Sequence, residues 1–285
     1  LIEFSNRIGL ECVTGINILN KLPVIYPMEL SIAIPSSSLI NETDERIKAY
    51  KVWQIARAAA IFRVGEIIVY PDPKKDESDY IIEILKFLEV PQYLRKDLIP
   101  IKRSLKYVGL LPPLSIPSHR PKHLKIGEVR EGVVRKVGPD GTAWVDIGLN
   151  ALALMRDYVP SGARVTVRVC SKKPLVVEEA KPPGYWGYKV KKVDLGEILE
   201  NESTIVLSRK GEQVTVEKAK GLDRALLIFG SPEEGVFEIA RRTGLEISSK
   251  VRCWNTIPDQ GTETVRLEEA ITSTLAVLNV ICRRG

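Results

Sequence analysis

The last quarter of the chain holds two strand–loop–helix units in succession, and they limit the fold more than anything before them. The first is Arg224-Ala-Leu-Leu-Ile-Phe-Gly230-Ser-Pro-Glu-Glu-Gly235, in which an apolar run over 225–229 breaks at Gly230 into a turn and then a helix. The second is a short strand predicted over Val251–Trp254, then the loop Asn255-Thr256-Ile257-Pro258-Asp-Gln-Gly261-Thr262, then an apolar helix predicted over Val265–Ile281. Short apolar runs bounded by Gly and Pro read as buried strands. Two such units side by side place both loops at the carboxyl ends of parallel strands, where open α/β sheets bind ligands. Neither loop carries G-x-G-x-x-G or a Walker lysine, which argues against an ordinary dinucleotide or P-loop site.

The front of the chain supplies the other strands. Leu30–Ile34 reads as a strand, Asn41–Asp44 offers N-caps, and a helix is predicted over Glu45–Phe62 with Ile47, Val52, Ile55, Ala59 and Phe62 at helical spacing. Glu66–Tyr70 is a second strand, stopped by Pro71-Asp-Pro73, and Asp79–Leu88 a second helix. Alternating strand and helix predicts a mostly parallel sheet. Residues 1–27 have no clear periodicity and Met28 stands directly before the first strand. We read them as an N-terminal extension upstream of a natural start at Met28, the alternative being a genuine N-terminal arm.

Between residues 118 and 183 the pattern changes. A Pro-rich basic linker leads into short alternating runs: Glu128–Val137, Thr142–Ile147, Ala151–Met155, Ala163–Cys170 and Leu175–Glu179. Gly138-Pro-Asp-Gly141 is a hairpin turn. Five short strands predict a small OB-like antiparallel barrel inserted in the α/β domain, which then comprises residues 28–117 and 184–285. Beyond it, Leu195–Leu199 reads as a helix and Thr204–Ser208 as a buried strand.

Composition narrows the function. Lys and Arg number 42 against 36 Asp and Glu, a formal charge of +6 that is compatible with RNA. Arg95, Lys102 and Arg103, interleaved with Tyr93 and Tyr107, suit backbone contact with base stacking, as do Arg130, Arg135 and Lys136 on the barrel. A solvated surface is the competing reading for each, and a purely structural role for the barrel. The four cysteines are scattered, and His119-x-x-x-His123 is the one pattern with ligand-like spacing, so no metal site is expected. No apolar run reaches the length of a membrane span. These features fit a reducing, cytoplasmic setting.

The same residues resemble the SPOUT superfamily of S-adenosylmethionine-dependent RNA methyltransferases. Phe229-Gly230 with Gly235 matches its second motif, an apolar strand ending in Phe-Gly-x-x-x-x-Gly. Asn255-Thr-Ile-Pro258 with Gly261–Ala270 is similar to its third. Thr264-Val-Arg266-Leu-Glu268-Glu-Ala270 resembles the signature of the uridine-N3 branch, with Glu269 where that signature has threonine. Arg57-Ala-Ala-Ala-Ile-Phe62 resembles the first motif, and Lys51 stands where the family often has Asn. Pro91-Gln-Tyr-Leu-Arg95, Gly109-Leu-Leu-Pro-Pro and Tyr185-Trp186-Gly-Tyr188 are similar to an archaeal and eukaryotic subfamily with an inserted barrel.

The resemblance implies a sheet whose C-terminal part forms a trefoil knot, an exception to the rule that chains avoid knots. It implies S-adenosylmethionine held by Leu207, Ser208, Phe229, Gly230, Gly235, Asn255, Thr256, Ile257, Pro258, Gly261, Thr262 and Leu267. Arg57, Arg266 and Glu268 are then the catalytic candidates, ribosomal RNA the substrate and N3 of uridine the acceptor. It implies a homodimer, for which we expect the apolar face of the last helix around Ile271, Leu275 and Leu278 to supply the interface. The competing functions are an RNA-binding protein that retains the fold without catalysis, distinguished by failure to bind the cofactor, and a methyltransferase with a non-RNA substrate, distinguished by salt-insensitive activity without RNA. The glycines and apolar residues of the proposed pocket have an ordinary reading as well, in turns and core packing.

Overall fold

The computed structural model describes residues 28–119 and 123–282; the reading given to residues 1–27 lies outside them. A six-stranded sheet carries helices on both faces. In chain order the first half runs β1 (Glu29–Pro35), α1 (Glu45–Ile61), β2 (Glu66–Tyr70), α2 (Ser78–Glu89) and the short α3 (Arg95–Leu98). Five strands follow: β3 (Val129–Val137), β4 (Ala143–Asp146), β5 (Ala153–Met155), β6 (Arg164–Lys172) and β7 (Leu175–Glu179). The chain then returns through β8 (Lys189–Lys192), α4 (Leu195–Glu200), β9 (Thr204–Gln213), α5 (Val216–Ala219), β10 (Arg224–Ile228), α6 (Val236–Arg242), β11 (Arg252–Asn255) and α7 (Leu267–Ile281).

The sheet order is β11-β9-β10-β1-β2-β8, and every pairing is parallel. Side chains alternate between its faces, as the two-residue period of a strand requires. Ile32, Ile34, Ile67, Val69, Ala225 and Leu227 pack beneath α1, α2 and α7. Ala33, Ile68, Tyr70, Leu226 and Ile228 face α4 and α6. Both faces are covered, so the strands read as continuous apolar runs. Asp44 caps α1, its carboxylate accepting the Arg46 N–H at 2.7 Å.

The structure corrects one expectation outright. Ile271, Leu275 and Leu278 are fully buried inside the protomer, in the same core as Val52, Ile55 and Ala59 of α1. An apolar helix face shows that something covers it, and here the cover is α1. α1 in turn carries three exposed apolar residues: Ile47, Tyr50 and Ile61 are each about half exposed.

The five strands β3–β7 close into a barrel of order β3-β4-β5-β7-β6, with β5 and β7 parallel and the other pairs antiparallel. That order agrees with the OB-like expectation, while the parallel β5–β7 pair corrects the wholly antiparallel barrel expected from the sequence. Its interior is filled by Val134, Val145, Ile147, Met155, Val167, Val169 and Val177.

Candidate functional site

The site begins with an irregularity in β9. Its first residues pair with β11 as far as Val206↔Cys253, yet the next β11 residue, Trp254, pairs with Glu212. Residues 207–211 therefore bow out of register. Gly211 permits the close crossing that follows: a Cβ on it would stand 2.6 Å from the Trp254 carbonyl carbon and 2.8 Å from its nitrogen. The bow exposes Leu207, Ser208, Arg209 and Lys210 along one side of a cleft of about 390 Å³.

The opposite side is the loop after β10. Gly230 is demanded by the turn itself, since a Cβ there would lie 2.5 Å from the Glu234 carbonyl oxygen. Ser231 N–H donates to that oxygen at 2.8 Å, and Ser231 Oγ accepts the Glu234 N–H at 2.9 Å. Lys74 and Arg242 anchor the loop from outside through Glu233 and Glu234. The hydrogen bond from Arg242 holds the Glu234 carboxyl below its ordinary range, and one from Lys210 does the same for Glu238. Both carboxylates are charged at neutral pH.

The third wall is the loop after β11. Asn255 organises it, its Oδ1 accepting the Ile257 N–H at 3.0 Å while its Nδ2 donates to the Arg209 carbonyl at 3.2 Å. Arg209 Nη1 donates to the Glu263 carbonyl at 2.9 Å and draws the far end of the loop across. The Thr256 and Thr274 hydroxyls, 2.7 Å apart and buried, tie the loop to α7. Leu267, Ala270 and Val265 close the cleft.

Of the residues expected around the methyl donor, Leu207, Ser208, Phe229, Gly230, Gly235, Asn255, Thr256, Ile257 and Leu267 line this cleft. Pro258, Gly261 and Thr262 do not; they are exposed at the loop tip. Gln260 Nε2 donates to the Thr262 and Glu263 carbonyls and turns the tip outward. A Cβ at Gly261 would meet nothing within 4 Å, so no close packing demands glycine there.

A second cleft, of about 450 Å³, opens beside the first and shares Pro232, Thr264, Val265 and Leu267 with it. Its remaining lining is Asn41, Glu42, Ile47, Lys51 and Arg266. Arg266 is exposed at the N-terminus of α7, where its N–H donates to Glu269 Oε2 at 3.0 Å. Glu268 is buried, and its Oε1 lies 3.7 Å from Lys51 Nζ, which also meets Glu42 Oε1 at 2.6 Å. Arg266 and Glu268 thus come to one place by different routes, and Lys51, read from the sequence as a departure from a motif, joins them. Arg57 lies outside both clefts. Its Nη1 donates to the Leu114 carbonyl at 2.5 Å and pins the segment after α3 against α1.

The six basic residues offered for RNA are distributed unevenly. Arg130 is 3 % exposed and bonded to Glu128, which corrects its assignment: a guanidinium inside the barrel wall cannot meet a phosphate. Arg95 is likewise occupied, stacked 4.2 Å over the Phe87 ring with Nε donating to the Val90 carbonyl. Arg135 bridges Asp97 and Asp146, Lys102 pairs with Glu83, and Lys136 lies over Trp144 at 4.8 Å. Arg103 is exposed.

Among the described residues no group of three potential ligands could hold a metal ion, and no helix is long and apolar enough to cross a membrane.

Comparison with known proteins gives this arrangement its family. The family model described as "Putative RNA methyltransferase" matches residues 29–278. An uncharacterized protein of Haloarcula marismortui is 34% identical over 280 residues, covering 89% of this chain and 99% of that protein. A 28S rRNA (uridine-N(3))-methyltransferase of Homo sapiens is 31% identical over 294 residues, covering 88% of this chain and 78% of its own length. One of the same name from Drosophila melanogaster is 31% identical over 301 residues, covering 88% of this chain and 62% of that protein. The resemblance carried by the two C-terminal loops holds, and the chain belongs to this family of RNA methyltransferases.

Proposed function

We propose that the chain transfers a methyl group from S-adenosylmethionine to N3 of a uridine in ribosomal RNA. The observation that carries this reading is the pair of adjoining clefts at the carboxyl ends of β9, β10 and β11. One is walled by backbone-rich loops and the other includes the charged side chains of Glu42, Lys51 and Arg266. The named activity of the human and fly relatives supports the choice of uridine N3.

The residues of the first cleft fit the donor. S-adenosylmethionine joins an adenine to two cationic centres. Leu207, Ile257, Val265 and Leu267 offer apolar walls for the ring, while Glu238 and Glu263 bring carboxylates for the cations. Its volume lies within the roughly 300–1,000 Å³ of small-molecule pockets. When bound, the donor supplies an electrophilic methyl on sulfur, and the protein's part is alignment and exclusion of water. Asn255, Arg209 and the Thr256–Thr274 bond do that work by fixing the loop after β11. Arg266 holds the RNA, through a phosphate or a base oxygen, beside the shared wall of the two clefts. The barrel, residues 118–183 in our division, positions the substrate. The trefoil connection of the SPOUT superfamily belongs to the same reading.

The reading includes a homodimer. Its support is the stripe Ile47, Tyr50 and Ile61 on α1, exposed and on one helical face beside Arg57. Through such a contact Arg57 would approach the partner's site.

The test incubates the purified chain with ribosomal RNA and isotopically labelled S-adenosylmethionine and digests the RNA to nucleosides. Label in 3-methyluridine is expected. Label in another nucleoside or in no RNA would refute the assignment. Arg266→Ala should lower transfer by about 100-fold while donor affinity holds.

A further inference from the structure

We infer that the second cleft is the pocket that receives the target base itself, and that Lys51 is the donor to a carbonyl oxygen of that base. The inference rests on the methyl-transfer reading and names the substrate side of the same site.

An enzyme that modifies a base within RNA must take it out of the stack and hold it in a pocket. The second cleft has the size for such a ligand, about 450 Å³, and it shares one wall with the donor cleft. A ring lying along Val265 and Leu267 would therefore have one edge toward the donor and the other toward α1. At that second edge stand Lys51 and Glu42. The Lys51 ammonium is 2.6 Å from Glu42 Oε1 and 3.7 Å from Glu268 Oε1, and the three side chains are only 14%, 20% and 7% exposed.

A lysine held between two carboxylates in a nearly dry place is expensive unless it is fully coordinated. Lys51 has three donors on its ammonium. Glu42, at 2.6 Å, engages one, and Glu268, at 3.7 Å, is an ion-pair neighbour beyond hydrogen-bond range, which leaves donor capacity for the cleft that Lys51 lines. A pyrimidine carbonyl oxygen fits there. As the methyl leaves sulfur for N3, the N3 proton passes to the Glu42 carboxylate that lines the same cleft; its loss spreads negative charge onto the carbonyl oxygens of the uracil, and a fixed ammonium there stabilises that charge where it develops. Glu268 does not line the cleft; it is a positioning residue that holds Lys51 from behind.

The test has two parts, both on the full chain. Ribosomal RNA substituted with 4-thiouridine is irradiated with the wild-type protein, and the crosslinked peptides are mapped. Crosslinks within residues 41–51 or 264–267 are expected. Crosslinks confined to the barrel or to residues 92–110 would overturn the inference. In parallel, Lys51→Met should reduce methyl incorporation by about 100-fold and abolish the cleft crosslinks, with donor affinity by calorimetry within about threefold of wild type. Lys51→Arg should restore part of both. A Lys51→Met protein that methylates and crosslinks like wild type would overturn the inference, as would one whose only change is lost donor affinity. If wild type crosslinks through the cleft yet methylates no RNA, the base pocket stands and the methyl-transfer reading fails.

Discussion

Arg164 of the barrel grips Glu89 of α2 with both terminal nitrogens, Nη1 at 2.6 Å from Oε2 and Nη2 at 3.0 Å from Oε1. Its Nε turns to Glu131 of β3, which is 3 % exposed and also receives the Thr166 hydroxyl and the Trp186 indole N–H, each at 2.6 Å. Tyr93 Oη donates to the Glu131 carbonyl at 2.9 Å. One guanidinium therefore joins barrel, α2 and the returning strand segment. Charge-assisted forks of this kind set orientation as well as energy. The barrel is held at a defined angle to the sheet.

Removing that guanidinium leaves Glu131 buried without its charge partner. Arg164→Ala should cost about 3 kcal/mol, read as a shift in the urea midpoint, and should make the connections near residues 123 and 184 sensitive to protease. Donor binding at the distant cleft should persist. Unchanged protease resistance would show that the fork does not hold the barrel.

Gly211 offers a test of how the cleft is formed. The atoms that would meet a new Cβ are backbone atoms of Cys253 and Trp254, which have no rotamer to give. Gly211→Ala should destabilise by about 1–3 kcal/mol and weaken donor binding, because the bow at 207–211 and the strand beside it must separate. Gly261→Ala, with open space around the added methyl, should do neither.

The last helix distinguishes core from interface. Leu278 is fully buried against α1 within one protomer. Leu278→Ala should lower stability by about 2–5 kcal/mol without altering the sedimentation coefficient of the folded protein. Ile61→Glu, on the exposed stripe of α1, should have the reverse effect and shift any dimer toward monomer.

Acid should loosen the region between β2 and α2. The Ser78 hydroxyl bonds to Asp76 at 2.5 Å and brings its carboxyl down to about 2. Burial pushes Asp72 up, but bonds from Ser37, the Lys74 N–H and Arg242 outweigh it and leave its carboxyl below the ordinary value. Depressed carboxyls stabilise the fold above the unfolded value of about 4 and cease to do so as pH falls through the folded one. The urea midpoint should be flat from pH 7 to 5 and fall between about pH 4 and 2. Asp76→Asn should flatten that decline.

The layered fold was readable because β1, β2 and β10 are buried on both faces, so their runs are almost wholly apolar, interrupted only by Ser31 in β1, and each is stopped by Gly or Pro. β8 was not, since Lys189-Val-Lys-Lys occupies a sheet edge, where lysines are tolerated and discourage further pairing. The loops that wall the first cleft were legible from their glycines, although Gly230 proves to answer a turn and Gly261 no packing demand. The bow in β9 had no local signal: the apolar run ends near Ser208, and what sets the register is a crossing with Trp254 over forty residues later. Buried charge was equally hidden. Arg130 reads as a surface cation for RNA until the Glu128 partner and the barrel wall that bury it are known.

The most direct test of the account compares ribosomal RNA from cells carrying this protein with that from cells lacking it, by mass spectrometry of nuclease fragments. The account predicts that one uridine carrying a methyl group on N3 in the first becomes unmodified in the second and is restored by the wild-type chain but not by Arg266→Ala. Identical modification patterns in the two RNAs would contradict it.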